Sequence, residues 1–125
     1  MRFRVFARGE VVGHSNLPWI DAGMGIVRGI FYPDESYAAI QPIIRAHMMA
    51  LDESNPVVLE QARERIRELD LRIQSSEGEV LECELVFLED YILELEDCGM
   101  ELEDGIEISV FGFSTEIRQK FWPDH

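Results

Sequence analysis

No lysine or arginine occurs between Arg72 and Arg118, and inside that interval Glu77–Glu107, EGEVLECELVFLEDYILELEDCGMELEDGIE, places thirteen acids in thirty-one residues. An acidic run of purely polar composition stays solvated, because it cannot bury enough apolar surface to offset the entropy of ordering. This run is different. Leu81, Cys83, Leu85, Phe87, Leu93 and Leu95 recur in it at a spacing of two, the period of a strand with one face buried. The same segment must therefore supply core on one side and carboxylates on the other, which a disordered tail does not do.

The charge is concentrated there. Residues 1–72 hold ten acids and nine bases, residues 73–117 fourteen acids and no base, and residues 118–125 one acid and two bases. Essentially all of the net charge of −14 sits in one contiguous third of the chain. Such a surface repels phosphates, so nucleic acid and anionic membrane are not expected partners and a basic protein is. With 46% hydrophobic residues among 125, the chain can bury a core as one domain without staples. Cys83 and Cys98 form no framework or metal motif and read as reduced thiols of a cytoplasmic protein. No apolar run reaches a membrane span, and the start, MRFRVFARGE, lacks the apolar core of a secretory signal.

Along the chain, Phe3, Val5 and Ala7 alternate with Arg2, Arg4, Phe6 and Arg8, a half-buried strand that Gly9-Glu10 can turn back into residues 11–14. Residues 16–25 read as a loop carrying Trp19, and residues 25–32 as an apolar strand in which Gly29 marks a close backbone approach. Asp34 is placed to cap a helix whose stripe is Tyr37, Ile40, Ile44, Met48 and Leu51, with a kink or restart expected at Pro42. Asn55-Pro56 opens a second helix with Leu59, Ala62, Ile66 and Leu69 inward. Leu71 and Ile73 lead into a turn at residues 75–78, and a strand follows through residue 88. That strand is apolar on both faces in its later half, which predicts a central position. A bent or second strand is expected over Tyr91–Glu96, a turn over 97–105, a strand at Ile106–Val110 and a short helix at Ile117–Phe121 capped by Ser114. The fold class is α+β: a single domain, 1–125, with a mostly antiparallel or mixed sheet of about five or six strands. The helical pair of residues 34–68 packs on one face, and a short C-terminal helix follows.

The sequence carries no catalytic constellation. Setting Glu94 at the first position of a calcium loop puts Cys98 and Gly105 where oxygen ligands are required, so no metal site is expected. His14, His47 and His125 have no zinc spacing, and His47 reads as a core-edge histidine. His14-Ser15 are neighbours on a strand and point to opposite faces. No cofactor motif is present; Gly23-x-Gly25 lacks the residues of a phosphate loop.

What remains is an acidic recognition surface. The expected function is a non-enzymatic protein-binding protein, in its most concrete form a bacterial immunity-type inhibitor that masks the basic cleft of a toxin or nuclease. Glu82, Glu84, Glu89, Asp90, Glu94, Glu96, Asp97, Glu101, Glu103 and Asp104 would stand in for phosphates, with Tyr91 or Trp19 as aromatic anchor. The alternative is a self-associating structural or adaptor protein, a homodimer joined through Phe111, Phe113, Phe121 and Trp122. A third class, a small-molecule enzyme or carrier, would need a pocket uniting His14, Ser15 and Trp19.

Overall fold

The computed structural model describes residues 2–91 and 105–123. Strand β1 (Phe3–Ala7) returns as β2 (Glu10–Ser15) through a two-residue turn in which Arg8 and Gly9 both have positive φ, 52° and 79°. That is the turn whose twist matches paired strands. Phe3, Val5 and Ala7 are buried, as their alternation predicts. Residues 16–25 are more than a loop: Trp19–Asp21 forms a short strand, β3, pairing with β4 (Ile26–Ile30). β5 (Tyr32–Pro33) follows after one residue. β6 (Arg72–Ser75), β7 (Leu85–Asp90) and β8 (Ile106–Phe111) complete two antiparallel four-stranded sheets. Their orders are β5-β2-β1-β6 and β3-β4-β8-β7. The architecture is α+β, and the expected five or six strands become eight among the described residues, because residues 19–21 add a strand and the apolar segment at residues 25–32 serves both sheets.

That division happens at Phe31. Its N–H donates to the Ile106 carbonyl in the second sheet (2.9 Å), and the next residue, Tyr32, pairs with His14 in the first. The Phe31 ring is fully buried and fills the space over Gly13, where a Cβ would lie 2.3 Å from it. At Gly29 a Cβ would lie 2.6 Å from Ser15 Oγ and 3.0 Å from the Leu17 backbone, the close approach that its place in the strand predicts. Phe3, Val5, Val27, Ile73, Ile108 and Val110 join them in one core, each worth about 1.5–3 kcal/mol on full burial.

The helices form a layer beside the sheets. α1 (Tyr37–Glu53) lies against β7, and α2 (Pro56–Glu68) packs on α1. Asn55 Oδ1 accepts from the N–H groups of Val57 (3.0 Å) and Val58 (3.3 Å), the cap its sequence position predicts. Asp34 is not the cap of α1. The residue at that position is Ser36, whose hydroxyl donates to Glu10 Oε1 (2.9 Å), while the Asp34 N–H donates to Val12 O (2.9 Å). α1 also runs through Pro42 without a restart. Pro42 and Ala38, whose carbonyl loses its partner, are both exposed, so water can take the place of the missing N–H. The buried stripe is Tyr37, Ile40, Ile44, His47 and Ala50, with Leu51 43% exposed. His47 packs edge-on to Phe87 (5.6 Å), and burial, assisted by Arg63, holds its pKa below the ordinary value.

α3 (Thr115–Phe121) is capped by Ser114 Oγ, which accepts from the Ile117 N–H (3.2 Å). Trp122 behind it stacks on Phe3 (5.5 Å), touches Phe113 (5.6 Å) and donates from Nε1 to Leu17 O (3.1 Å). Lys120 pairs with Glu79, tying α3 to the turn after β6. Phe113 and Trp122, expected at a self-association surface, are core residues. Among the described residues no helix is long and apolar enough to cross a membrane.

Candidate partner-binding face

β7 is the strand at the heart of the acidic stretch, and it differs from expectation in two ways. It lies at the edge of its sheet, and its buried residues are Val86, Leu88 and Asp90, with Leu85 exposed. The cause is the passage between sheets. Val80 still bridges to Gln74, and the Leu81 N–H donates to Ile73 O (2.9 Å) in the first sheet. By residue 84 the N–H donates to Phe111 O (2.9 Å) in the second. Residues 82–84 cross the gap, so the alternation that buries Leu81 does not carry through to Leu85. The edge is not bare: the Asp90 N–H donates to Met48 Sδ on α1 (2.9 Å).

Register then assigns every side chain of the second sheet to a face. Directly opposed residues share a face, as do residues two apart on one strand. Ile20–Val27–Val110–Val86, Gly29–Ile108–Leu88 and Ile106–Asp90 face inward. Asp21–Ile26–Phe111–Leu85, Trp19–Arg28–Ser109–Phe87 and Ile30–Glu107–Glu89 face outward. Trp19 (56% exposed) and Leu85 (49%) stand at opposite edges of the outer face; Ile26 and Phe111 between them and Phe87 beside Leu85 are half-buried, and Ser109 is buried.

One end of this outer face is acidic. Glu89 and Glu107 are directly opposite each other on neighbouring strands, an arrangement of like charges that destabilises a sheet. Among the described residues neither is in a salt bridge. The Tyr91 hydroxyl donates to Glu89 Oε2. That bond, then burial, then the charges of Glu89, Glu107 and Asp52 push the Tyr91 pKa up to about 12. Asp52, at the end of α1, is thus a third acid beside this tyrosine.

The sequence-predicted residues separate into four groups. Trp19, Glu89 and Tyr91 lie on or beside the outer face, Trp19 at its β3 edge and Glu89 with Tyr91 at its β7 edge. Glu82 and Glu84 lie exposed on the crossover, Glu84 over Gly112, where an added Cβ would meet its side chain at 2.5 Å. Asp90 departs from the expected surface: it is 2% exposed, and its carboxylate accepts from the Tyr37 hydroxyl (2.7 Å), Gln41 Nε2 (2.9 Å) and Arg45 (3.4 Å). Glu94, Glu96, Asp97, Glu101, Glu103 and Asp104 lie outside the described residues, as does the strand expected over 91–96 beyond Tyr91. Glu107, Asp52, Arg28 and Leu85 belong to the site and were not singled out by sequence. Only the strand register reveals that Glu107 faces Glu89.

His14, Ser15 and Trp19 do not converge. The His14 ring stacks on Tyr32 (5.2 Å), Ser15 Oγ is buried and accepts from the Leu17 N–H (3.2 Å), and Trp19 is on the other sheet. A 460 Å³ concavity beside His14 is lined by Arg4, Val11, Gly13 and Asp34 and includes neither Ser15 nor Trp19. Among the described residues no three or more His, Cys, Asp or Glu side chains are grouped to hold a metal. Cys83 is a half-buried free thiol whose pKa is raised by burial. No family model, curated protein or solved structure matches the chain.

Proposed function

We propose that the protein is a non-enzymatic, cytoplasmic binding protein whose acidic surface takes a basic protein partner, in its most concrete form an immunity-type inhibitor covering the basic cleft of a toxin or nuclease. The observation that carries this reading is the Glu89–Glu107 pair. Two carboxylates held opposite each other on rigid strands, with Asp52 nearby and no cation bridging either among the described residues, raise the energy of the free protein. A lysine or arginine placed between them relieves that repulsion, so binding a cation here gains more than it would at an isolated carboxylate. The surrounding net charge of −14 steers such a partner and raises its association rate by roughly ten- to a thousand-fold at low salt.

The test is affinity capture on the immobilised protein at low salt, then titration of each retained protein against salt. Affinity should fall steeply with ionic strength, and Glu89→Gln with Glu107→Gln should flatten the dependence. A partner whose affinity is indifferent to salt and to both substitutions refutes the reading. If the partner is a nuclease, stoichiometric addition of the protein should abolish its activity.

A further inference from the structure

We infer that the outer face of the second sheet is a docking platform for a protein that presents aliphatic side chains flanked by lysines and arginines. The inference rests on the partner-binding reading above and names the surface that carries it. Its centre is largely apolar: Trp19 and Leu85 are about half exposed at the two sheet edges, and Ile26 and Phe111 between them are half-buried. Phe87 beside Leu85 on β7 is half-buried against His47, and Ser109 in the row of Trp19 is buried. Isolated exposed apolar residues need no explanation, but a contiguous set on one rigid sheet face marks an interaction site.

The border is acidic at two ends: Asp21 closes the corner beside Trp19, and Glu89 and Glu107 close the far end. Arg28, in the row of Trp19, is the one base among the outward-facing residues of this grid. An apolar centre carrying a tryptophan and an arginine, within a charged rim, is the anatomy of a protein interface. The sign of the rim specifies the partner.

Geometry also favours approach onto the face over strand addition at an edge. The β7 edge is closed by Met48 and α1, and β3 offers only three residues. Four strands by five residues span about 14 Å by 14 Å, or about 200 Å². That is the centre of a standard interface of about 800 Å² per partner, so the acidic rim lies inside the contact.

Two peptides of equal charge separate the platform from charge alone: oligolysine, and a peptide alternating lysine with leucine. Of the two tryptophans, Trp19 is exposed and Trp122 is buried, so a blue shift of emission on binding reports Trp19, and Trp19→Phe removes that signal. The Lys–Leu peptide should bind about tenfold more tightly than oligolysine and shift the emission, and Leu85→Ser or Trp19→Ser should erase that advantage. Unchanged Trp122 emission certifies that each variant is folded. Glu89→Gln with Glu107→Gln should weaken both peptides alike. Equal affinity for the two peptides with an unmoved Trp19 spectrum overturns the platform and leaves the charge-based reading standing. Failure of both peptides to bind at low salt overturns both.

Discussion

Glu89 and Asp90 are consecutive residues of β7, and the two faces of the second sheet treat their carboxylates in opposite ways. The inward face surrounds Asp90 with the Tyr37 hydroxyl, the Gln41 amide and the Arg45 guanidinium, all from α1. The outward face sets Glu89 opposite Glu107 and gives it only the Tyr91 hydroxyl as a hydrogen-bond donor among the described side chains. A buried carboxylate is tolerated only when its lone pairs are occupied. A partly exposed one can be left in repulsion, because water screens it at a cost of tenths of a kcal/mol. The first arrangement stabilises the fold, and the second leaves two carboxylates opposed on neighbouring strands.

This contrast can be broken most severely from the inside. Asp90→Ala strands the Tyr37 hydroxyl and the Arg45 guanidinium together, and should cost about 2–4 kcal/mol, the lower end reflecting the partial exposure of Arg45. Urea unfolding measures it, and a loss below about 1 kcal/mol would mean the cluster is not a stabilising one. Gly29→Ala, on the same inward face, forces a Cβ against Ser15 Oγ and the Leu17 backbone and should cost about 1–3 kcal/mol.

A smaller effect comes from His47. Its folded pKa is lowered, so the neutral form is the one the fold prefers. Its contribution to stability is complete above the ordinary value of 6.5 and is lost as pH falls through the depressed value. Unfolding curves should therefore weaken below about pH 6.5, and His47→Gln should flatten that part of the profile. Tyr91 behaves with the opposite sign. Its pKa is raised to about 12, so what its protonated hydroxyl adds is whole below its ordinary value of 10 and is lost as pH rises through 12. Absorbance titration should show a late phenol that Glu89→Gln moves back towards 10, apart from Tyr37, which burial and Asp90 also push up and which Glu89→Gln leaves in place.

The outer face should respond least in stability. Glu107→Gln is expected to raise stability by about 0.2–1 kcal/mol, an effect that salt removes. Trp19→Ser and Leu85→Ser should each fall within about 0.5 kcal/mol of the parent. Larger losses would mean that these side chains stabilise the fold and are not held in reserve for a partner.

Much of the fold is legible where one element meets one environment. Phe3, Val5 and Ala7 alternate on a strand with a single buried face, and Asn55-Pro56 announces a helix start through its own chemistry. Legibility fails where the environment changes within a run. Residues 85–88 are apolar on both parities, so periodicity holds no preference there, and the crossover at 82–84 breaks the phase between Leu81 and Val86. In α1, Met48 and Leu51 compete with His47 and Ala50 for the same stripe. The helix turns His47 onto Phe87 and Ala50 inward, while Met48, half-buried, reaches the Asp90 N–H on β7. Asp90 was hidden most completely. Acids on both sides of it read as solvated surface, while the three side chains that bury it come from 45–53 residues earlier in the chain. The acidic outer face was half visible: its composition is plain, but only pairing with β8 shows which carboxylates share a row.

Both sheets depend for their interior strands on partners far away in the chain. β1 pairs with β2 next door but also with β6, Phe3 opposite Ser75, and β8 inserts between β4 and β7, Phe111 opposite Ile26. A ribosome must therefore deliver residue 111 before β4 and β7 can be joined, and residue 122 before Phe3 acquires its stacking partner. Among the described elements, the β1–β2 and β3–β4 hairpins and the α1–α2 pair can form early from local contacts. Domains dominated by such distant pairings fold in milliseconds to seconds, where helical bundles take microseconds. During that interval the alternating Leu and Glu of the nascent 81–96 segment are kept apart from other chains by their own charge, a protection that operates before any fold is reached.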